Sequence, residues 1–540
     1  MPSDHVADLI IVNAKVWTGD EAAAAATAIA VSKGRFVYVG TAANALSWKG
    51  PRTEVVDAEG RRIIPGLIDA HVHLIGGGLQ LSRLNLRDAG SREEFIAAVA
   101  DRARRTPAGQ WILGGRWSTE SWKDPGQPTR DWIDPVTPDH PVYLPRMDGH
   151  SALVNSVALQ MAGIDRKGPP DPPGGKIDRD PTTGEPTGYL REGAAELISR
   201  LIPPDPPAEQ EQALKAAMHE AHRFGITTVH TMSPWPEVAA MAGAREAGWL
   251  TLRVRVYVSE DDWRAYLPKV RAFRNDDRLR VAGFKQFMDG SLGSRTAYMA
   301  EPFSDNPPDK TDRRGLLTAT ALKEGEMLRL CEAADAAGYS PAIHAIGDQA
   351  NHLLLDVYEA TIKADGPRAG RRLRIEHAQH LLPGDVGRFA SLGVVASMQP
   401  LHKADDARYA EQAIGQERCR TSYAFRSLID AGTQVAFGSD WPVVTINPFL
   451  GIESAVVGKS LDGKTFVPEQ NIGVEQALRC YTFGGAYAAG EEDRLGRIAV
   501  GQLADFAILD ADVLTVARDS IGKVGVHQTY VAGKKVWSGE

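Results

Sequence analysis

The stretch Pro65-Gly66-Leu67-Ile68-Asp69-Ala70-His71-Val72-His73 is an apolar run that ends in two histidines two positions apart. It reads as a buried β-strand. Side chains at i and i+2 of a strand point the same way, so His71 and His73 project together from its carboxyl end. Two imidazoles carried by one rigid element are the beginning of a metal site. What the rest of the chain brings beside them decides the fold.

Downstream, short β-branched runs recur at 226–230, 252–257, 281–285, 340–344, 373–377, 394–398 and 434–440, which makes eight strands with the first. Helix-compatible segments such as 208–224 and 322–337 lie between most of them. Eight alternating β/α units predict an α/β fold, a (β/α)8 TIM barrel, with its chemistry at the carboxyl ends of the strands. Lys285 closes the fourth run, His344 the fifth, His377 the sixth and Asp440 the eighth. These residues are far apart in sequence, but on a barrel they meet at one mouth.

Both chain ends have a different character. Runs at 8–12, 28–31 and 35–40, with Lys33-Gly34 as a hairpin turn, and again at 504–509 and 528–537, are all-β in pattern. They predict one small β-sandwich from residues 1–65 and 486–540, around a barrel of residues 66–485. The long interval after His73 predicts an inserted subdomain at about 85–205, placed at the catalytic end of the barrel. It has strands of its own at 110–115 and 141–145 and a Pro/Gly-rich excursion at 168–188.

Composition narrows the class. The chain has 540 residues, 43% hydrophobic and 24% charged, which is globular. A formal net charge of −8 argues against a nucleic-acid partner. No run reaches about 18 apolar residues, so no membrane partner is expected. The start of the chain lacks the basic segment of a secretory signal, and the expected address is cytoplasmic. Cys331, Cys419 and Cys480 are too widely spaced for a thiolate cage and read as small buried hydrophobes. The expected partner is a small-molecule substrate, and a homodimer is left open.

On the residues quoted above, the chain resembles the metal-dependent amidohydrolase superfamily, and the flanking sandwich extends the resemblance over nearly the whole chain. Two segments are similar to the amidohydrolase-3 branch, which includes N-substituted formamide deformylases. They are Gly283-Phe284-Lys285-Gln286-Phe287-Met288-Asp289-Gly290-Ser291-Leu292-Gly293-Ser294 and Asp148-Gly149-His150-Ser151-Ala152-Leu153-Val154-Asn155-Ser156. The resemblance implies that His71, His73, Lys285, His344, His377 and Asp440 hold two divalent metal ions, Zn²⁺ by default. It further implies that Lys285 is carboxylated by CO₂ to a carbamate that bridges them. A salt-bridged lysine beside a single ion is the alternative.

Neutral imidazoles leave the charge of an ion uncancelled, so it acidifies a bound water to near neutral pH. Asp440 is then the catalytic residue, taking the proton of the attacking water and passing it to the leaving nitrogen. The expected activity is hydrolysis of a non-peptide C–N bond in an amide, N-substituted formamide or cyclic amide. An ester, lactone or carbamate hydrolase on the same metals is a second reading, and a non-catalytic metal-binding sensor or scaffold a third. Substrate contacts are expected from His150, His230, Asp289, Trp117 and Trp441, with Trp122 as a further wall. His230 reads as a pocket wall in preference to a ligand, and Asp289 with Ser291 reads first as ordering the loop after Lys285 through turn hydrogen bonds. Gly76-Gly77-Gly78 reads as backbone clearance near the metals.

Overall fold

The computed structural model describes residues 6–20, 25–119, 122–124, 126–147, 149, 151–172, 175–308 and 311–539. Eight parallel strands are hydrogen-bonded in chain order: β1 (Leu67–Val72), β2 (Ile226–Ser233), β3 (Arg253–Ser259), β4 (Leu279–Phe287), β5 (Ser340–Ala345), β6 (Arg374–His377), β7 (Val395–Met398) and β8 (Val435–Phe437). Beyond β8 the chain returns to β1. The Asp440 N–H donates to the His71 carbonyl, and the His73 N–H to the Trp441 carbonyl, both at 2.7 Å. These two bonds close the (β/α)8 barrel.

Closure moves Asp440 off the strand on which its sequence run suggested it lay. Asp69 of β1 accepts the Ser439 N–H at 2.9 Å and the Ser439 hydroxyl at 2.6 Å. The segment therefore leaves β7 after Phe437 and bends toward β1, with Asp440 in the left-handed region at φ 57°. His377, at the end of β6, has φ 75°. Such backbone conformations are costly for residues with a Cβ and persist where surrounding bonds hold them.

β4 and β5 approach unusually closely. A Cβ on Gly283 would lie 1.7 Å from the Ser340 carbonyl oxygen, so only glycine fits at that point of the ladder. This sets the spacing at which Lys285 and His344 emerge two to four residues further on.

Two sheets contain the terminal strands. One, in the order Arg35–Gly40, Ala28–Ser32, Leu9–Val12, Glu54–Asp57, is wholly N-terminal. The other runs Lys15–Val16, Arg62–Pro65, Phe506–Leu509, Val526–Val531, Lys534–Ser538 and so combines both ends of the chain. Leu9, Ile11, Ile29, Val31 and Phe36 pack with Ile63, Phe506, Ile508 and Tyr530. The Phe506 and Tyr530 rings are stacked, with centroids 4.5 Å apart. Buried arginines of β3 pair with the C-terminal segment: Arg253 bonds Asp505 at 2.6 Å, and Arg255 bonds Glu491.

By internal packing the chain forms two compact units, Met1–Leu74 with Leu214–Glu540, and Ile75–Ala213. The second begins earlier and ends later than the 85–205 expected from sequence. It holds a six-stranded sheet in the order Gly175–Arg179, Pro186–Glu192, Ser151–Val154, Val142–Pro145, Ile112–Gly115, Leu84–Asn85. Its core gathers Phe95, Trp117, Trp122 and Trp132. The glycine run lies in helix Leu74–Ser82, where a Cβ on Gly78 would sit 1.9 Å from the Ala213 carbonyl oxygen. The clearance Gly78 provides is for the backbone of helix Pro207–Arg223, which corrects the expectation that it served the metals. Among the described residues no helix is long and apolar enough to cross a membrane. Cys331, Cys419 and Cys480 are free and buried, and burial pushes all three thiols up.

Candidate metal centre

β1 is buried throughout, so His71 needs partners for both ring nitrogens, while His73, just past the strand's end, is partly exposed. His71 Nδ1 donates to Glu376 Oε2 at 2.6 Å and turns Nε2 toward Asp440 Oδ1, 3.4 Å away. His73 Nδ1 donates to the Met232 carbonyl at 3.2 Å, and its Nε2 lies 3.3 Å from the same oxygen. An ion bound tetrahedrally at about 2.0–2.1 Å holds its ligand atoms about 3.3–3.4 Å apart. His71 Nε2 and Asp440 Oδ1 are buried and have no hydrogen-bond partner. Two orphaned lone-pair atoms at metal-ligand spacing fit a divalent cation.

The electrostatics agree with that fit. Burial, reinforced by Lys285, lowers His71 to about 4, so its imidazole is neutral and Nε2 keeps its lone pair. Burial acts to raise Asp440, but His71, His73 and His377 outweigh it and hold the carboxyl well below its ordinary range. Glu376 is likewise kept ionised against burial, chiefly by Arg374, whose Nε bonds Oε1 at 2.5 Å. Arg374 also bonds the Ala70 carbonyl, Ser397 Oγ and Tyr257 Oη at 2.7, 2.9 and 2.8 Å. Hydrogen-bonded carboxylates behind metal-facing imidazoles fix ring orientation and tautomer.

His377 joins the group from β6. Its ring centroid lies 5.0 Å from that of His71, and Nδ1 donates to Gln399 Oε1 at 2.7 Å. His344 of β5 is 4.4 Å from His377 between centroids. Its Nε2 donates to the Gly290 carbonyl at 3.1 Å, which leaves the lone pair on Nδ1. Lys285 of β4 is buried, and its Nζ stands 4.7 Å from the Phe287 ring centroid. Burial lowers this amine to about 8.

Among the described residues, two sets of ligand atoms lie mutually within 4.8 Å: His71, His73 and Asp440, and His377, His402 and Asp440. The ligands expected from sequence thus converge around Asp440, with His344 and Lys285 alongside but in neither set.

The expected substrate contacts fare differently. His150 lies outside the described residues. Trp117 and Trp122 are core residues of their own unit. The Trp117 Nε1–H donates to the Leu144 carbonyl and the Trp122 Nε1–H to the Ala89 carbonyl, at 2.9 and 2.6 Å. Trp441 is buried in the barrel's core cluster, its backbone braced between Ser439 and His73. Asp289 is buried. Its carboxylate accepts the N–H groups of Tyr298, Ile346 and Gly347 at 2.8, 3.0 and 2.8 Å, which ties the loops after β4 and β5 together. His230 is fully buried, and Nδ1 accepts from Arg374 at 3.0 Å. It belongs to the polar network of Arg374 and is in neither ligand set.

Asp69, Arg374, Glu376, Gln399 and His402 escape a reading of the sequence by strand ends alone. A signal was present for three of them. Asp69 shares the alternation of His71, and Arg374 and Glu376 are charged residues at i and i+2 of a fully buried strand. On a strand buried on both faces, charged residues must pair within the protein.

A closed parallel barrel with a histidine–aspartate cluster at its carboxyl end defines a (β/α)8 protein with a candidate metal site. A family model described as Amidohydrolase family matches residues 54–537, and the chain belongs to that family, which is metal-dependent. It is 38% identical to the protein LONG AFTER FAR-RED 3 of Arabidopsis thaliana, over 99% of this chain and 92% of that one. It is 29% identical to an N-substituted formamide deformylase of Arthrobacter pascens, over 97% of each chain. A solved metal-dependent hydrolase of Pyrococcus horikoshii superposes with a TM-score of 0.76 at 27% identity, covering 94% of this chain and 99% of that one.

Proposed function

We propose that this protein hydrolyses a non-peptide C–N bond of a small molecule (an amide, an N-substituted formamide or a cyclic amide) with divalent metal bound at Asp440. The observation that carries the reading is the spacing of His71 Nε2 and His73 Nε2 from Asp440 Oδ1, 3.4 and 3.3 Å. The similarity to a formamide deformylase along almost the whole chain supports the choice of bond. Two ions, Zn²⁺ by default, form part of this reading. Bound there, they supply the Lewis acidity that polarises a carbonyl and brings water near neutral acidity.

The chain's own residues do the rest. Glu376 holds His71 in the tautomer that presents Nε2. Gln399 and the Met232 carbonyl do the same for His377 and His73. Asp440, anionic and aimed at the same space, accepts the proton of the attacking water and delivers it to the departing nitrogen. Lys285, lowered to about 8 by burial, has an appreciable neutral fraction near pH 7. Its Nζ lone pair can attack the carbon of CO₂ and lose a proton, giving the carbamate. Phe287, 37% exposed at the end of β4 and 5.2 Å from the His344 ring, offers the apolar wall that sequence assigned to the tryptophans.

Matched amide, N-substituted formamide and ester substrates, each with an aromatic or an aliphatic amine or alcohol portion, test the reading on metal-loaded protein. Turnover of the amide or formamide series is expected. Turnover confined to the esters replaces the proposed bond class. No turnover of any series by fully metal-loaded protein points to the sensor reading.

A further inference from the structure

His402 lies just beyond β7, in helix Pro400–Asp406. Its Nε2 is buried and meets no hydrogen-bond partner. Two packing histidines are satisfied by protein groups, whereas the orphaned Nε2 of His230, in the network of Arg374, lies in neither ligand set. His222 bonds the Ile226 carbonyl and Thr251 Oγ1, each at 3.0 Å, and His380 bonds Ser422 Oγ at 2.7 Å. A buried ring nitrogen without a partner is unfavourable unless a group from outside the protein satisfies it.

The surroundings say which group. The His402 ring lies 6.3 Å from that of His377, with 10° between their planes. Gln399 takes the Nδ1–H of His377, so that ring presents Nε2 and its lone pair. Ligand atoms of His377, His402 and Asp440 fall mutually within 4.8 Å, and Asp440 also belongs to the set with His71 and His73. Two imidazoles and a carboxylate suit a divalent ion of borderline softness, such as Zn²⁺ or Co²⁺. The helix that carries His402 is anchored on both sides. The Ser454 hydroxyl donates to the Pro400 carbonyl at 2.6 Å. Lys403 Nζ donates to Asn471 Oδ1 and the Val467 carbonyl at 2.7 and 3.2 Å.

We propose that His402 is itself a metal ligand, holding with His377 and Asp440 a second divalent ion beside the one at His71, His73 and Asp440. The assignment rests on the metal-hydrolase reading. It adds a ligand from the seventh strand's loop that needs neither CO₂ nor Lys285. Binding at this position is therefore expected to persist in carbon-dioxide-depleted buffer.

The test is Co²⁺ titration of the metal-free full-length chain in such buffer, followed by calorimetry and visible absorption, for wild type, H402A, H402Q and H71A. Circular dichroism of each metal-free form checks its fold. Both His402 variants are expected to bind one Co²⁺ fewer than wild type, or to bind it at least about tenfold more weakly, since even a residue behind a ligand costs about that much. H71A should impair the other ion. H402C should introduce a thiolate-to-Co²⁺ charge-transfer band, a gain of signal that a merely destabilised variant does not give. Unchanged stoichiometry and affinity in folded H402A or H402Q, with no new band in H402C, overturns the assignment and leaves the hydrolase reading intact. A wild-type chain that takes up no Co²⁺ overturns both.

Discussion

Asp440 combines two tasks that one substitution can separate. Asp440→Asn keeps the volume and one ligand oxygen but cannot accept the proton of water. Turnover per bound metal ion should fall by about two to four orders of magnitude, and metal content should fall less than in His71→Ala. Near-normal turnover per ion in Asp440→Asn would remove the proton shuttle and leave Asp440 as a ligand only. Lys285 gives a pH signature. Burial sets its amine at about 8, so the ammonium, which has no lone pair for CO₂, predominates below that value. Activation by bicarbonate should rise as pH climbs through about 8 and should be absent in Lys285→Arg. A response that is flat with pH, or is retained in the arginine variant, rules out the carbamate. The same shift bears on stability. Against an ordinary value of 10.5, the folded chain binds fewer protons than the unfolded one between about 8 and 10.5. Metal-free protein should gain stability as pH rises through that window.

Among the elements, the β4–β5 ladder matters most for the site. Glycine at 283 allows the Ser340 carbonyl to come within 1.7 Å of where a Cβ would be, and Lys285 and His344 emerge from these two strands. Gly283→Ala must part them, at a cost of about 1–3 kcal/mol. Urea unfolding and metal analysis should show a lower midpoint together with weaker metal retention. A stability loss without any loss of metal would mean that the spacing of β4 and β5 does not position the centre. The eight strands themselves were legible in sequence because each is a β-branched run bounded by turn residues. Their carboxyl ends were less so. β2 continues through Thr231, Met232 and Ser233, where apolar and polar residues mix and only pairing to β3 extends the strand.

For the whole molecule, the centre joins three widely separated parts of the chain, β1, the β6–β7 region and the turn after β8. An ion that binds only this assembled state stabilises it by mass action, about 4 kcal/mol at a thousandfold excess over Kd. Chelation should therefore lower the melting temperature by several degrees, reversibly on adding Zn²⁺. His71→Ala should start near the chelated value and respond little. A melting temperature indifferent to chelator in protein shown to contain metal would mean that the ion binds folded and unfolded chain alike.

Sequence alone was enough for the β/α alternation of the barrel and for the histidines and lysine at its strand ends, though it placed Asp440 on a strand that stops at Phe437. Each of these follows from local periodicity and from the rule that barrel chemistry gathers at one end of the strands. The tertiary structure decided what lies behind and between those residues. It turned Trp117 and Trp122 into the core of Ile75–Ala213, because indoles with a carbonyl in reach pack as readily as they bind ligands. It bound Asp289 to three backbone amides. It made Glu376 the partner of His71, set Asp69 to bend Ser439 and Asp440 back to β1, and brought His402 beside His377. None of these pairings has a fixed sequence spacing. They arise because buried charges and ring nitrogens must find partners across the closed barrel, and closure alone determines which partners are within reach.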